Sequence, residues 1–400
     1  MKKILFLCSI FPEPIRLDLT INSIGAVSNA NNNFQNAIIR GLIKNSISLD
    51  IVTVPNIGAY PKRYKKLKIS KNISKTHYGS KITSISWINL PVIKHYFIYK
   101  NLLDELESID LNQYDTVISY DLYPPFYSLF EFIKGKANNI KIINIVPDII
   151  GMTRGKSNLF LNFYDRISVS IIEKNIKYVD GLIYLTKFMS EKMPYKAQNI
   201  PSIIIEGIID DNQEVFNEEI PKIKYILYSG SLDIRHGILN LINAFIQSKI
   251  ENLELWICGD GDGRSEVEKS IKDHNNIKYL GQINREQVKV LQSQSYLLIN
   301  PRNSKEEFTR YSFPSKIIEY FISGSPTFMY RLPGIPEEYF DYCFSLDDES
   351  VDALSSFLIK FSQYNIEELN EIGSKAKDFV IKNKNAKTQT LKIIELFEKI

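Results

Sequence analysis

Residues 300–328 read NPRNSKEEFTRYSFPSKIIEYFISGSPTF. The apolar run Tyr296-Leu-Leu-Ile299 just before them has the character of a buried strand, and the polar residues after it form an irregular loop. Ser312-Phe-Pro-Ser-Lys316 opens a helix, Gly324 closes it, and Pro326 begins a second apolar segment. A helix start carries N–H groups without a partner inside the helix. With the Ser315 hydroxyl and the Lys316 ammonium beside them, those groups suit a phosphate. Glu319 shares a helix face with Lys316 and suits the paired hydroxyls of a ribose. Phosphate with ribose implies a nucleotide. The same residues also fit a plainer reading, in which Phe313-Pro314 staples a helix start and Lys316 and Glu319 make a surface pair.

Strand followed by helix recurs on both sides of this stretch. Lys3–Ser9, Leu49–Val54, Asp115–Tyr120, Lys141–Val146, Gly181–Leu185 and Ser202–Glu206 are short continuous apolar runs, of the kind buried on both faces of a parallel sheet. A helix is predicted near 33–44 and another near 127–134, and the polar, Asn-rich stretch containing Gly25 is predicted as a loop. Asp210–Glu219 is acidic and turn-prone, is followed by Pro221, and reads as a linker. Lys224–Gly230 then repeats the layout of the N-terminus. Leu253–Cys258, Ile277–Leu280, Tyr296–Ile299, Pro326–Tyr330 and Cys343–Leu346 continue the alternation, and a helix over 387–399 closes the chain. The expected fold class is α/β, two tandem Rossmann-like domains with parallel sheets facing a central cleft. The expected boundaries are 1–208 for the first domain and 209–385 for the second, nucleotide-binding one, with a helix at 386–400 packing back on the first.

Composition agrees with that size. The chain has 400 residues, 44% hydrophobic and 24% charged, with a net charge of +3, which argues against a polyanion-binding protein. Cys8, Cys258 and Cys343 are far apart and odd in number, so neither a disulfide framework nor a zinc site is predicted. The four histidines (His77, His95, His236, His274) have no metal spacing, and His95 and His274 are expected at the surface. No apolar run reaches transmembrane length, and a cytoplasmic location is expected.

Four segments resemble the retaining family GT4 of the GT-B glycosyltransferases of bacterial polysaccharide synthesis. They are Tyr228–Ile238 (YSGSLDIRHGI), Trp256–Asp262 (WICGDGD), Ile277–Gln282 (IKYLGQ) and Tyr311–Tyr320 (YSFPSKIIEY). The resemblance runs over essentially the whole chain. It implies a nucleotide-diphosphate sugar donor in the second domain, no metal or other cofactor, and transfer to a glycan acceptor that is polyprenyl-linked. By this resemblance Glu319 holds the ribose, and the backbone around Ser312, Phe313, Pro314, Ser315 and Lys316 meets the donor phosphates. Gly281 and Gln282 would border the base.

Two positions depart from the family pattern. The signature has two glutamates eight positions apart, and the earlier one is Tyr311 here, which can offer a hydroxyl or a ring but no carboxylate. The arginine and lysine of the family's glycine loop fall at Ser231 and His236, leaving Arg235 as the strong cation of that loop. Arg235 and Lys316 are therefore the candidates to clamp the departing diphosphate. Cys258–Gly263 (CGDGDG) has acids where a dinucleotide would place its pyrophosphate and Arg264 where calcium would want an oxygen, so it reads as a tight turn.

In the first domain, Gly25 lies where such enzymes let the backbone approach the transferred sugar. Asp148, after the strand ending at Val146, is a candidate to orient a sugar hydroxyl or to stabilise positive charge at the anomeric carbon. Its plainer reading is an Asx turn after Pro147. Glu206 is a lesser candidate for the donor sugar. Pro61–Lys75 carries Lys62, Arg63, Lys65, Lys66, Lys68, Lys71 and Lys75 without an acid, and Trp87–Tyr99 follows with aromatic and apolar residues. Together these suggest an anionic membrane surface, Lys62–Lys75 and Trp87–Tyr99 docking the protein at the inner face of the membrane, over a solvated loop or a nucleic-acid site. The function expected is a retaining glycosyltransferase of capsule, O-antigen or exopolysaccharide synthesis. The alternatives are a sugar-nucleotide epimerase of the same fold and a catalytically inactive partner subunit.

Overall fold

A computed structural model describes residues 2–25, 29–137, 139–152, 159–209 and 224–400. The acidic linker expected at 210–221 lies outside the described residues. The chain divides into two compact units, Met1–Asp210 with Asn385–Ile400, and Asp211–Lys384.

The first unit contains β1 (Lys3–Cys8), α1 (Glu13–Asn22), α2 (Asn29–Lys44), β2 (Ser48–Thr53), β3 (Lys68–Ile69), β4 (Asn72–Lys75), β5 (Lys81–Ser84) and β6 (Trp87–Ile88). It continues with α3 (Lys94–Glu107), β7 (Thr116–Tyr120), α4 (Pro124–Tyr127), α5 (Phe130–Lys136), β8 (Lys141–Val146), α6 (Leu159–Asn175), β9 (Gly181–Tyr184) and β10 (Ser202–Ile204). The main sheet runs in the order β10-β9-β8-β7-β1-β2-β5-β4. Its strands are parallel except β4, which is antiparallel to β5. β1 is apolar and fully buried from Ile4 to Cys8, as a strand covered on both faces must be. The strand order reverses direction between β1 and β7, and the loops that leave their carboxyl ends open there.

Three sequence expectations change in this unit. Residues 13–22 form α1 instead of a loop, and their Leu17 and Ile21 side chains point to solvent. The basic segment, expected as a cluster of cations facing a membrane, is partly built into the fold: Lys68–Ile69 and Asn72–Lys75 are strands, and Lys66 and Lys71 pair with Asp18 and Glu105. Trp87 is 4% exposed and Ile98 2%, so both belong to the core and not to a membrane-facing surface.

The second unit contains β11 (Tyr225–Ser229), α7 (Ile238–Ser248), β12 (Glu254–Cys258), α8 (Arg264–Ile271), β13 (Ile277–Gly281), α9 (Arg285–Gln294) and β14 (Leu297–Asn300). It ends with α10 (Lys316–Ser323), β15 (Thr327–Tyr330), β16 (Phe344–Leu346), α11 (Val351–Phe361) and α12 (Ile366–Asn383). Its parallel sheet has the order β13-β12-β11-β14-β15-β16, and the reversal falls between β11 and β14.

The last helix, α13 (Ala386–Lys399), belongs to the first unit and packs on α2. Gly41 makes that approach possible, since a Cβ there would sit 2.2 Å from the Ala386 carbonyl oxygen. Asn45 Nδ2 donates to the Lys387 carbonyl at 2.9 Å, and Leu396 reaches Gly181 of β9. No described helix is long and apolar enough to cross a membrane.

Candidate active site

In the second unit three loops lock together at the carboxyl ends of β11, β12 and β14. The loop after β12 closes on the loop after β11: Gly230 N donates to Cys258 O, Leu232 N to Asp260 O and Gly263 N to Leu232 O, at 2.8–3.0 Å. Glycine is required at this crossing. A Cβ on Gly259 would lie 1.7 Å from Gly230 O, and one on Gly261 2.8 Å from Leu232 C. The CGDGDG segment is thus a clamp made of backbone, consistent with its reading as a tight turn. Gly237, at φ 79°, admits the loop after β14, since its Cβ would meet Pro301 O at 2.1 Å. Tyr320 of α10 completes the assembly, its hydroxyl accepting from Ser229 N at 3.2 Å.

Three cations converge on these loops. Lys316, the first residue of α10, extends over Gly230, which leaves room for its Cε. Its Nζ lies 3.9 Å from Glu319 Oε2, a loose pair, both side chains being about two-fifths exposed (39% and 41%). Such an exposed pair contributes little to stability, roughly 0–1 kcal/mol, so both groups are available to a ligand at small cost. Burial raises the Cys258 thiol to about 11, and the nearby Lys316 charge opposes that rise. Arg235 is held by Asp233, with Nε 3.0 Å from both carboxylate oxygens, and lies over the Phe308 ring. That bidentate contact, more than any other, holds the Asp233 carboxyl below its usual range and much of the Arg235 charge is already answered.

The third cation was not assigned from sequence. Arg302 lies over the same Phe308 ring, 4.4 Å from its centroid, and its Nη2 donates to Ser312 Oγ at 3.0 Å. Burial lowers its pKa to about 10, which leaves it charged at neutral pH. Its Nε is buried without a hydrogen-bond partner. A buried guanidinium with an idle donor is costly unless a ligand engages it. Nothing in the sequence marks it, because a lone arginine in a polar loop has no spacing to read.

The other residues singled out in this unit divide by burial. Ser315 is exposed and Ser312 half-buried beside Arg302, and both border the cationic loops. Ser231 is exposed, and its carbonyl accepts from Tyr228 Oη at 2.6 Å. Gly281, at φ 68°, accepts from Gly259 N at 2.9 Å, and Gln282 beside it is exposed. Tyr311, Phe313 and Pro314, by contrast, are buried; Tyr311 is 6% exposed, and Phe313 packs against Tyr339. The Tyr311 ring, expected to offer a hydroxyl or a stacking face, is therefore corrected to one that shapes the loop, while Phe313 and Pro314, expected to contribute through their backbone, bury only their side chains.

In the first unit, Asp148 lies just past β8 in a cavity of about 440 Å³ at the sheet reversal. Burial, and then the Asp121 charge, raises its pKa to about 7. His95 lines the same cavity, half-buried and not on the surface as expected, between Tyr123 Oη (3.4 Å from Nδ1) and Tyr164 Oη (3.2 Å from Nε2). Burial, reinforced by the charge of Lys94, lowers its pKa to about 4. Gly25 is exposed at φ 94°, with open space where a Cβ would be. Glu206 is buried at 5% exposure, which corrects the expectation that it reaches a sugar. Among the described residues no three His, Cys, Asp or Glu side chains cluster as a metal site.

Residues 210–379 match the family described as "Glycosyl transferases group 1". No curated protein matches the chain in sequence. Solved structures similar to it include sucrose-phosphate synthase from Thermosynechococcus elongatus (14% identity, TM-score 0.67, covering 100% of this chain and 99% of that one). HepE of Anabaena in complex with UDP (14%, 0.63, 100% of both chains) and the lipopolysaccharide outer core galactosyltransferase WaaB (13%, 0.62, 100% of both) are similar too. These likenesses show the fold. The chain thus has the GT-B fold, and the segment that matches the glycosyl transferases group 1, which holds the loop cluster of the second unit, supports a transferase.

Proposed function

We propose that the protein transfers a sugar from a nucleoside-diphosphate sugar to a hydroxyl of a polyprenyl-linked glycan, with retention at the anomeric carbon, in the synthesis of capsule, O-antigen or exopolysaccharide. The observation that carries the reading is the convergence of Lys316, Arg302 and Arg235 on loops flanking the β11/β14 reversal, with Glu319 one turn along α10. Lys316 and Arg302 bind the diphosphate, Arg235 reinforces them from its Asp233 support, and Glu319 accepts hydrogen bonds from the ribose. Gly281 and Gln282 border the base, and Ser231, Ser312 and Ser315 line the phosphate path.

In the reaction the bond from the anomeric carbon to the diphosphate oxygen breaks and the acceptor oxygen bonds the same face of that carbon. The leaving phosphate oxygen takes the acceptor proton. The cations stabilise the charge that grows on this oxygen, a contribution of about 3–4 kcal/mol for a well-placed group. Asp148 orients a sugar hydroxyl, and Gly25 leaves the backbone open to the sugar. The reading asks for no metal, because the side-chain cations fill that electrostatic role.

The test is turnover of a panel of nucleotide sugars without acceptor. The wild type should release the sugar with its anomeric configuration kept. Lys316→Ala and Arg302→Met should each slow that release about 100-fold or more. Interconversion of the bound sugar would favour an epimerase instead, and failure to bind any nucleotide would overturn both enzyme readings.

The membrane role is supported by a face of the first unit. Lys62, Arg63, Lys65, Lys66 and Lys68 are exposed there. Backbone hydrogen bonds from Ile24 N to Arg63 O (3.0 Å) and from Lys65 N to Asn22 O (2.9 Å) fasten this segment to the end of α1. α1 presents Leu17 (71% exposed) and Ile21 (60%) beside it, and Val92, Ile93 and Tyr96 are exposed at the start of α3. Each cation near an anionic bilayer contributes roughly 1 kcal/mol. Phosphatidylglycerol vesicles should sediment the protein and phosphatidylcholine vesicles should not, with Leu17→Ser/Ile21→Ser weakening the former. Equal sedimentation with both lipids would contradict the assignment.

A further inference from the structure

The cavity of the first unit contains two charged side chains that lack partners. Lys94, the first residue of α3, lines it half-buried, and its ammonium has neither a hydrogen-bond acceptor nor a carboxylate partner among the described residues. Burial alone pulls its pKa below the usual lysine value, with no acid close enough to push it back. The sequence had grouped Lys94 with a membrane-facing segment, but its place on the cavity wall makes it a group for a ligand. Asp148, on the same cavity, accepts no hydrogen bond among the described residues either. The two do not pair with each other, so one cavity holds an unpaired ammonium and an unpaired carboxyl, with Asp121 and Asp165 as further carboxyls on its wall.

His95 cannot serve as the cation. Both its ring nitrogens face tyrosine hydroxyls, and it is neutral at pH 7. The carboxyl wall is built firmly. Asp121 follows β7 at φ 76°, a conformation that aspartate adopts only at some cost, and three hydrogen bonds hold it there. Its N–H donates to Ile145 O at 2.8 Å, its carbonyl accepts from Asn144 Nδ2 at 3.0 Å, its carboxylate accepts from Leu122 N at 2.7 Å, and it neighbours Asp148 electrostatically. A backbone strained in this way aims a side chain. A carboxyl that is partly protonated near neutral pH, as Asp148 is, can both accept from and donate to hydroxyl groups. An unpaired ammonium in a partly dehydrated wall is satisfied by an oxyanion.

We infer that this cavity takes an acidic acceptor sugar, its oxyanion seated on Lys94 and its hydroxyls on Asp121 and Asp148. The inference rests on the transferase reading and adds the chemical class of the acceptor. The oxyanion is supplied either by the carboxylate of a uronic acid or by a phosphate ester on the glycan, and Lys94 serves both.

The experiment measures binding to the full chain of three probes: 4-nitrophenyl glucuronide, glucose 6-phosphate and the neutral 4-nitrophenyl glucoside. Ligand-observed NMR titration suits the weak affinities expected of isolated sugars. At least one acidic probe should bind about tenfold more tightly than the neutral one. The glucuronide arm and the phosphate arm identify the source of the oxyanion. Lys94→Gln should remove the preference, Lys94→Arg should keep part of it, and UDP affinity, read on the second unit, should be the same in all three proteins. The inference is overturned if the wild type binds acidic and neutral probes alike or not at all, or if Lys94→Gln keeps the preference. Loss of UDP binding in the wild type would strike the transferase reading instead, and leave the charge preference of the cavity to be judged separately.

Discussion

At the sheet reversal of the second unit, backbone presses on backbone: Gly259 against Gly230, Gly261 against Leu232, Gly237 against Pro301. The side chains that emerge there are cations, one of them buried with an idle donor. At the reversal of the first unit the elements stand apart around about 440 Å³ of space, and carboxyls, tyrosines, a neutral histidine and the ammonium of Lys94 face it. One sheet pattern thus supports two opposite furnishings. A diphosphate has fixed geometry and high charge, which rewards a rigid cationic rim. Sugar hydroxyls are neutral and numerous, which rewards carboxyls and aromatic walls with room between them.

The contrast breaks most severely at Gly259. A methyl group there would overlap Gly230 O at a backbone φ of 137°, so Gly259→Ala should cost at least about 3 kcal/mol. Urea unfolding and UDP titration would read the damage. Gly281→Ala is the matched control, since its φ is also positive but nothing lies within 4 Å of its Cβ position, and it should cost only about 1 kcal/mol. If the two variants lost the same stability, the rigid clamp would be a wrong description of this unit.

A smaller effect sharpens the first unit. Asp148 has a folded pKa of about 7 against an ordinary value of 3.8, so between those values the folded state binds more protons than the unfolded one. Its contribution to stability therefore falls as pH rises from about 4 to about 7, and is level above. His95 works the other way: its folded pKa of about 4 lies below 6.5, and its contribution falls as pH drops through the same window. The difference between wild type and Asp148→Asn isolates the first term. The variant should gain stability relative to wild type as pH rises from 4 to 7, in urea midpoints measured across that range. A constant difference at every pH would show that the carboxyl is not perturbed.

Sequence reading was strong where burial is periodic or continuous. The apolar runs at Lys3–Ser9 and Lys224–Gly230 correspond to β1 and β11, and the two tandem parallel sheets follow from their alternation with helices. It failed where an element does not bury its apolar residues. α1 turns Leu17 and Ile21 outward, so no core-facing stripe announces it. The strands β3 to β6 are only two to four residues long, too short to show a period, and β3 and β6 take their shape from each other across the β4–β5 hairpin. In the second unit, Lys316 and Glu319 were legible because one helical turn relates them. Arg302 was not, and neither was the ensemble of Lys94, His95, Asp121 and Asp148, which α3 and the ends of β7 and β8 bring to one cavity. Tyr311 shows the reverse error: a motif position invites a ligand role, and only packing shows the ring turned into the core.

The return of α13 to the first unit bears on how the chain is made. Ile209 and Asn385 pair as neighbours, and the helix that follows covers α2 and reaches Gly181. The unit whose strands leave the ribosome first thus lacks one wall until residues 386–397 emerge, after the whole second unit has been synthesised. Throughout that interval the apolar surface of Ile38 and Leu42, which α13 shields in the finished protein, is without its cover. The second unit has its own sheet and helices and can complete first, so the order of completion runs opposite to the order of translation.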